Sequence, residues 1–218
     1  MPKYIDLSLP VHERFDSNVR FQKVLTYENN GAQLTSLSLT AHSCTHLDAP
    51  LHVMGPDAAG IDAFPVEYFM GDAALLDIPK GMNEPVTEAD LMRAGKHARD
   101  GDIVLIRTGW LEKKFGKDEF DESPYLTEDA AEWLVKLKAK IAGYDFNQEY
   151  ALRGFRKGKP VKAEDCHIHL KLLGNGVLNL EYLNNLSKIS KPRLKLIALP
   201  LLLKGCEAAP CRVVAIEE

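Results

Sequence analysis

Two short apolar runs, residues 73–78 and 103–108, restrict the fold more than any other feature of the chain. Each is apolar enough on successive residues to form a strand buried in a sheet, and the turn Asp100-Gly101-Asp102 leads into the second. Alternation marks further strands at 4–9, 37–40 and 178–181, the last entered through Gly174-Asn175-Gly176. Residues 194–203 and 212–216 read as two more strands, joined by a turn through Gly205 and Pro210. Helices stand between them. Thr87-Glu88-Ala89-Asp90 has the capping-box pattern and opens a helix through Leu91, Met92 and Ala94 to Gly95. Thr127-Glu128-Asp129 opens another, with Ala130, Trp133, Leu134 and Leu137 at helical spacing; Lys136, Lys138 and Lys140 form a solvated end that suits the helix dipole. Buried strands interspersed with isolated helices imply an α/β fold with a mixed sheet. A chain of 218 residues is expected to form one domain, 1–218.

Charge and composition exclude several functions. Lys and Arg number 27 against 31 Asp and Glu, a formal net charge of -4, so there is no basic surplus to hold a nucleic acid. The longest apolar stretch, residues 196–203, contains Pro200 and is far short of the ~20 residues that a membrane span needs. Near the start, Asp6 stands where a signal peptide would be apolar. Cys44, Cys166, Cys206 and Cys211 form no C-x-x-C pair and read as reduced thiols, which places the protein in the cytoplasm. The stretch from Lys157 to Lys162 reads as a solubilising basic loop.

Chemistry concentrates in one segment. His42, His46 and His52 fall within residues 42–52 together with Asp48, and Pro50 disfavours helix at Ala49. In an extended chain His46 and Asp48 point the same way and can share one ion; His42 joins them if the chain turns at Ser43-Cys44. Imidazole nitrogen with carboxylate oxygen favours zinc or manganese. A second group follows at His167-Ile168-His169. If extended, these two histidines face opposite sides, so one at most reaches a metal. Glu181 sits in an apolar neighbourhood, where an unpaired buried carboxylate is costly and a cation removes the cost.

Together the two groups resemble the cyclase-like family of metal-dependent hydrolases, to which bacterial kynurenine formamidase and isatin hydrolase belong. Its motif H-x-G-T-H-x-D-x-P-x-H is matched by residues 42–52, and its later pattern by His169, Leu172-Leu173 and Glu181. Further likeness lies in Asp6-Leu7-Ser8, in residues 106–110 and in residues 205–212. The resemblance implies a compact swivelling β/β/α-type domain, assembled as a homodimer or homotetramer. It also implies two divalent metals per chain, zinc or manganese. His42 and His46 would bind one, His169 the other, and Asp48 and Glu181 would bridge both. His52 would be the free acid/base, with His167 a bystander; His12 and His97 read as surface or packing residues.

The expected reaction is hydrolysis of a small amide or cyclic amide, in which metal-activated hydroxide attacks the carbonyl and His52 protonates the leaving amine. Alternatives with the same site are a lactone or ester hydrolase, a cyclase or dehydratase, and a non-catalytic metal- or ligand-binding relative. Two departures from the family pattern stand out. Cys44 replaces the motif glycine, so a positive φ there is strained, and its thiol is a potential ligand, a redox liability or simple packing. Residues 10–16 lack the tryptophan of formamidase members, leaving Phe15 as the available aromatic.

Overall fold

A computed structural model describes residues 1–156 and 158–218; Lys157, which opens the basic loop, lies outside the described residues. In chain order the strands are β1 (Lys3–Asp6), β2 (Arg20–Leu25), β3 (Leu34–Ser38), β4 (His46–Asp48), β5 (Met70–Asp77), β6 (Pro85–Val86), β7 (Ile103–Arg107), β8 (Tyr125–Leu126), β9 (Ile141–Tyr144), β10 (Leu178–Glu181), β11 (Arg193–Pro200) and β12 (Ala208–Glu217). The helices are α1 (Tyr27–Asn30), α2 (Glu88–Ala94), α3 (Trp110–Lys114), α4 (Glu128–Lys136), α5 (Leu152–Arg156) and α6 (His167–Leu173).

The main sheet runs β1-β12-β11-β5-β7-β9-β10-β4, and β4 also pairs with β12, which closes the strands from β4 to β12 into a seven-strand barrel. β5, β7, β9 and β10 are mutually parallel, while the remaining pairings in the ring are antiparallel, so the sheet is mixed. Strand alternation sorts the apolar residues into two cores. Leu47, Leu75, Leu105, Ile141, Leu180, Leu196 and Val213, one from each barrel strand, meet in the interior cluster. The opposite face of β5, β7 and β9, with Leu76, Ile106 and Tyr144, packs under Leu91 of α2, Trp110 of α3, Leu134 of α4 and Leu172 of α6. A strand covered on both faces must be apolar throughout, and 73–76 and 103–106 are.

Local signals hold to within a few residues. α2 begins one residue after Thr87, with both halves of the capping box formed. Other readings need correction. Pro210 is not in the turn between the last two strands; it lies within β12, and its carbonyl accepts from Leu201 N–H at 3.0 Å. Lys140 is not a solvated end of α4. It follows the helix, and its Nζ donates to the carbonyls of Met70 (2.8 Å) and Glu67 (3.3 Å), because the chain has already turned towards β9. His167 and His169 lie on α6, not on an extended segment; two residues apart on a helix still means opposite sides. No helix among the described residues is long and apolar enough to cross a membrane.

Candidate metal centre

The site grows from the β4–β10 pairing, where register sets which side chains meet. His46 lies directly across from Glu181, and Leu47 across from Leu180. The leucines fill the barrel interior, so His46, Asp48 and Glu181 point to the outer face, where α6 presents His169. His42 reaches the same place because the chain turns at Cys44, which adopts φ 57°. That left-handed conformation carries a cost for any residue with a Cβ. The turn is sewn in by Thr45, whose hydroxyl donates to the Tyr182 carbonyl (2.7 Å) and accepts from Leu9 N–H (2.7 Å).

The ligand-type atoms converge closely. His42 Nδ1 lies 2.9 Å and His46 Nε2 3.3 Å from Asp48 Oδ1. On the other side, His169 Nε2 lies 3.7 Å from Asp48 Oδ2 and 3.3 Å from Glu181 Oε1, while Glu181 Oε2 is 3.8 Å from His46 Nε2. Asp48 and Glu181 thus each turn one oxygen towards the His42/His46 pair and one towards His169. His46, Asp48, His169 and Glu181 are buried, and His52 stands exposed at the mouth, with its ring centroid 4.4 Å from that of His42 and 5.5 Å from that of His169.

Hydrogen-bond acceptors assign the histidine tautomers. His46 Nδ1–H donates to the Cys44 carbonyl at 2.8 Å, which turns Nε2 towards the carboxylates. Glu149 does the same for His169, with Oε2 3.3 Å from Nδ1. For His42 the roles are exchanged: Nε2 faces Glu207 Oε1 at 3.3 Å and Nδ1 faces Asp48. Glu149 is itself held by Ile168 N–H (2.9 Å) and His169 N–H (3.3 Å) at the start of α6.

Electrostatics point one way. Burial pulls His46 and His169 down, but the surrounding carboxylates outweigh it and hold His46 up at about 9 and His169 up at about 10. Burial pushes Asp48 up, yet His46 and His42 hold it well below the ordinary value. The cluster therefore favours positive charge at its centre. Asp48 Oδ1 is buried and, despite the two nearby imidazoles, takes no aligned hydrogen bond. Imidazole nitrogens and carboxylate oxygens crowded without hydrogen-bond geometry suit a divalent cation, and this donor set fits zinc or manganese.

The structure brings together all six residues expected from the sequence: His42, His46, Asp48, His52, His169 and Glu181. It leaves His167 outside, paired with Glu128 at 2.9 Å. His12 packs against Phe15 and Phe21, and His97 Nε2 lies 3.0 Å from the Leu75 carbonyl. The Cys44 thiol turns away towards the Pro10 carbonyl (3.4 Å), and burial pushes it up. Phe15 packs on Phe115, with ring centroids 5.6 Å apart. Sequence reasoning missed Gln148 and Glu149, which follow β9 on a loop anchored by Asp145. That carboxylate accepts from Thr108 N–H (2.8 Å), the Thr108 hydroxyl (2.7 Å) and Gly109 N–H (2.7 Å), while burial raises it to about 6. The available signal was the set of polar residues Asp145, Asn147, Gln148 and Glu149 directly after an apolar parallel strand, where α/β sheets place their sites.

Comparison with known proteins agrees with this architecture. Isatin hydrolase A from Labrenzia aggregata bound to benzyl benzoate shares the fold, with a TM-score of 0.85 at 22% identity over 99% of this chain and 93% of that one. The kynurenine formamidase of Salinibacter ruber is 30% identical over 195 residues, which cover 86% of this chain and 81% of the relative. Cyclase-like protein 1 of Arabidopsis thaliana is 30% identical over 207 residues, 90% of this chain and 75% of the relative. The family described as putative cyclase matches residues 5–148, a span that includes His42, His46, Asp48 and His52, and the chain belongs to that family.

Proposed function

We propose that the chain is a metal-dependent hydrolase of a small amide or cyclic amide. One observation carries the reading: five imidazole and carboxylate side chains converge on one centre beside an exposed histidine. His42 and His46 would hold one divalent ion, His169 a second, and Asp48 and Glu181 both. When bound, such ions supply Lewis acidity, which lowers the pKa of water and polarises a carbonyl. The likeness to a kynurenine formamidase supports an amide as the bond cleaved.

The chain's own residues then have separate tasks. The Cys44 carbonyl and Glu149 hold His46 and His169 in the tautomer that points Nε2 at the centre. Asp48 and Glu181 supply two negative charges, which leaves the loaded site with a net positive charge for a developing oxyanion. His52 has no such anchor among the described residues. Burial and the neighbouring His42 and His169 hold it below the ordinary histidine value, so it is neutral near pH 7 and free to accept a proton. It then returns that proton to the departing amine nitrogen, which is a poor leaving group unprotonated.

Metal analysis of the purified protein should return about two divalent ions per chain. Assays on N-formylkynurenine, isatin and simple lactones should show turnover of an amide. His52→Ala should abolish that turnover with metal content unchanged. A protein that takes up no metal, or an alanine variant that stays fully active, would sink the reading.

A further inference from the structure

Gln148 is fully buried, at 0% exposure, and its side-chain amide reaches the same centre. Nε2 donates to Glu181 Oε1 and lies 3.3 Å from His169 Nε2. The other end of the amide, Oε1, is buried and accepts no hydrogen bond from the described residues. Its backbone is fixed, since the Gln148 carbonyl accepts from Leu126 N–H at 3.0 Å. A buried acceptor with nothing to accept is an unfavourable end state for an amide that contains both a donor and an acceptor. The two ends have nearly the same shape, and a half-turn of the terminal bond exchanges them.

From this geometry we infer that Gln148 is a metal ligand, its Oε1 joining His169 Nε2, Glu181 Oε1 and Asp48 Oδ2 around one ion. The inference rests on the metal-dependent reading above and adds a residue to it. It accounts for two facts at once. The amide sits against two of the three ligand atoms that the His169 half of the centre provides, and its oxygen has no partner among the described residues. The chemistry also balances. With Gln148 that half offers one nitrogen and three oxygens, donor types that suit zinc or manganese, and a five-coordinate ion keeps a position for water. A neutral amide oxygen joins the set without adding a third buried carboxylate. Loop anchoring by Asp145 and the Leu126 contact keeps the side chain in place.

Metal titration tests this directly, with Zn²⁺ and Mn²⁺ added to chelator-stripped wild type, Gln148→Leu and Gln148→Glu. The wild type should bind two ions. Gln148→Leu should keep one and bind the second roughly tenfold or more weakly. Gln148→Glu, which has oxygen at both ends, should hold the second ion at least as tightly as the wild type. If Nε2 instead serves only as a donor to Glu181, the glutamate variant sets two carboxylates against each other and loses the second ion. That result overturns the inference, as does a leucine variant that binds both ions with wild-type affinity. Should Gln148→Leu fail to fold, the glutamate variant decides alone. A wild type that takes up no ion removes the metal reading itself, and this inference with it.

Discussion

Glu149 illustrates how a single side chain can set the quality of a site it does not enter. Its Oε2 accepts from His169 Nδ1 and from two backbone N–H groups at the start of α6. Glutamine there keeps an oxygen for these donors but loses the charge that would make His169 a more basic ligand. Glu149→Gln should therefore weaken metal binding roughly tenfold, measured by zinc titration, with the fold intact. An unchanged affinity would mean that the carboxylate only packs. Cys44 poses a different question, because its φ of 57° is a conformation that glycine adopts freely. Cys44→Gly relieves strain but gives up a buried thiol and gains unfolded-state entropy, so stability should stay within about 1 kcal/mol of wild type. Cys44→Val adds a β-branched side chain in the left-handed region and should cost more than about 2 kcal/mol, read from urea unfolding. Equal stability of the two variants would show that the turn relaxes.

Helix α2 depends on a carboxylate that also answers to pH. Asp90 closes the capping box with Thr87 N–H (3.1 Å) and takes ion pairs from Lys80 (2.8 Å) and Arg93. Burial pushes its pKa up, but Lys80 and Thr87 outweigh that and bring it down to about 2 from 3.8. Since the folded value lies below the unfolded one, the stabilisation is complete above 3.8 and is lost as pH falls through about 2. Asp90→Asn should lose roughly 2 kcal/mol at pH 7, a gap that closes as pH drops towards 2 in denaturant titrations. This element was legible in the sequence because both capping-box partners, Thr87 and Asp90, lie three residues apart. The same locality explains 73–78 and 103–108, whose apolar runs record burial on both faces. Barrel closure left no such trace. β4 is three residues long, and its partners lie at 179–181 and 208–210, so nothing near His46 announces either pairing. Gln148 and Glu149 stayed hidden for a related reason: only the fold brings the end of β9 against the start of α6. The six residues at the centre were found because a rigid motif spacing survives in the chain even where the contacts it serves are remote.

At the scale of the molecule, the shortest barrel strand carries two of the proposed ligands. β4 is paired by three residue pairs on each side, to β10 and to β12, whereas β11 and β12 share six and β5 and β7 five. The seam at β4 is thus among the shortest in the ring, as short as that between β9 and β10, and it holds His46 and Asp48 between Glu181 on β10 and His169 on α6. Ions held by these side chains would tie that seam shut, which links metal binding to barrel stability. At a free concentration of 100 times its dissociation constant, a single ion adds about 2.7 kcal/mol, which for a chain of this size is roughly 5–10 °C in Tm. Chelation should lower Tm by that amount, and added zinc should restore it. The loss should also be uneven. Hydrogen exchange should speed up at 46–48, 178–181 and 208–210, while 73–76 and 103–106, in the strands covered on both faces, stay protected. A chelator that leaves Tm unchanged, or one that loosens all the strands alike, would show that the seam holds by its hydrogen bonds and leucines alone.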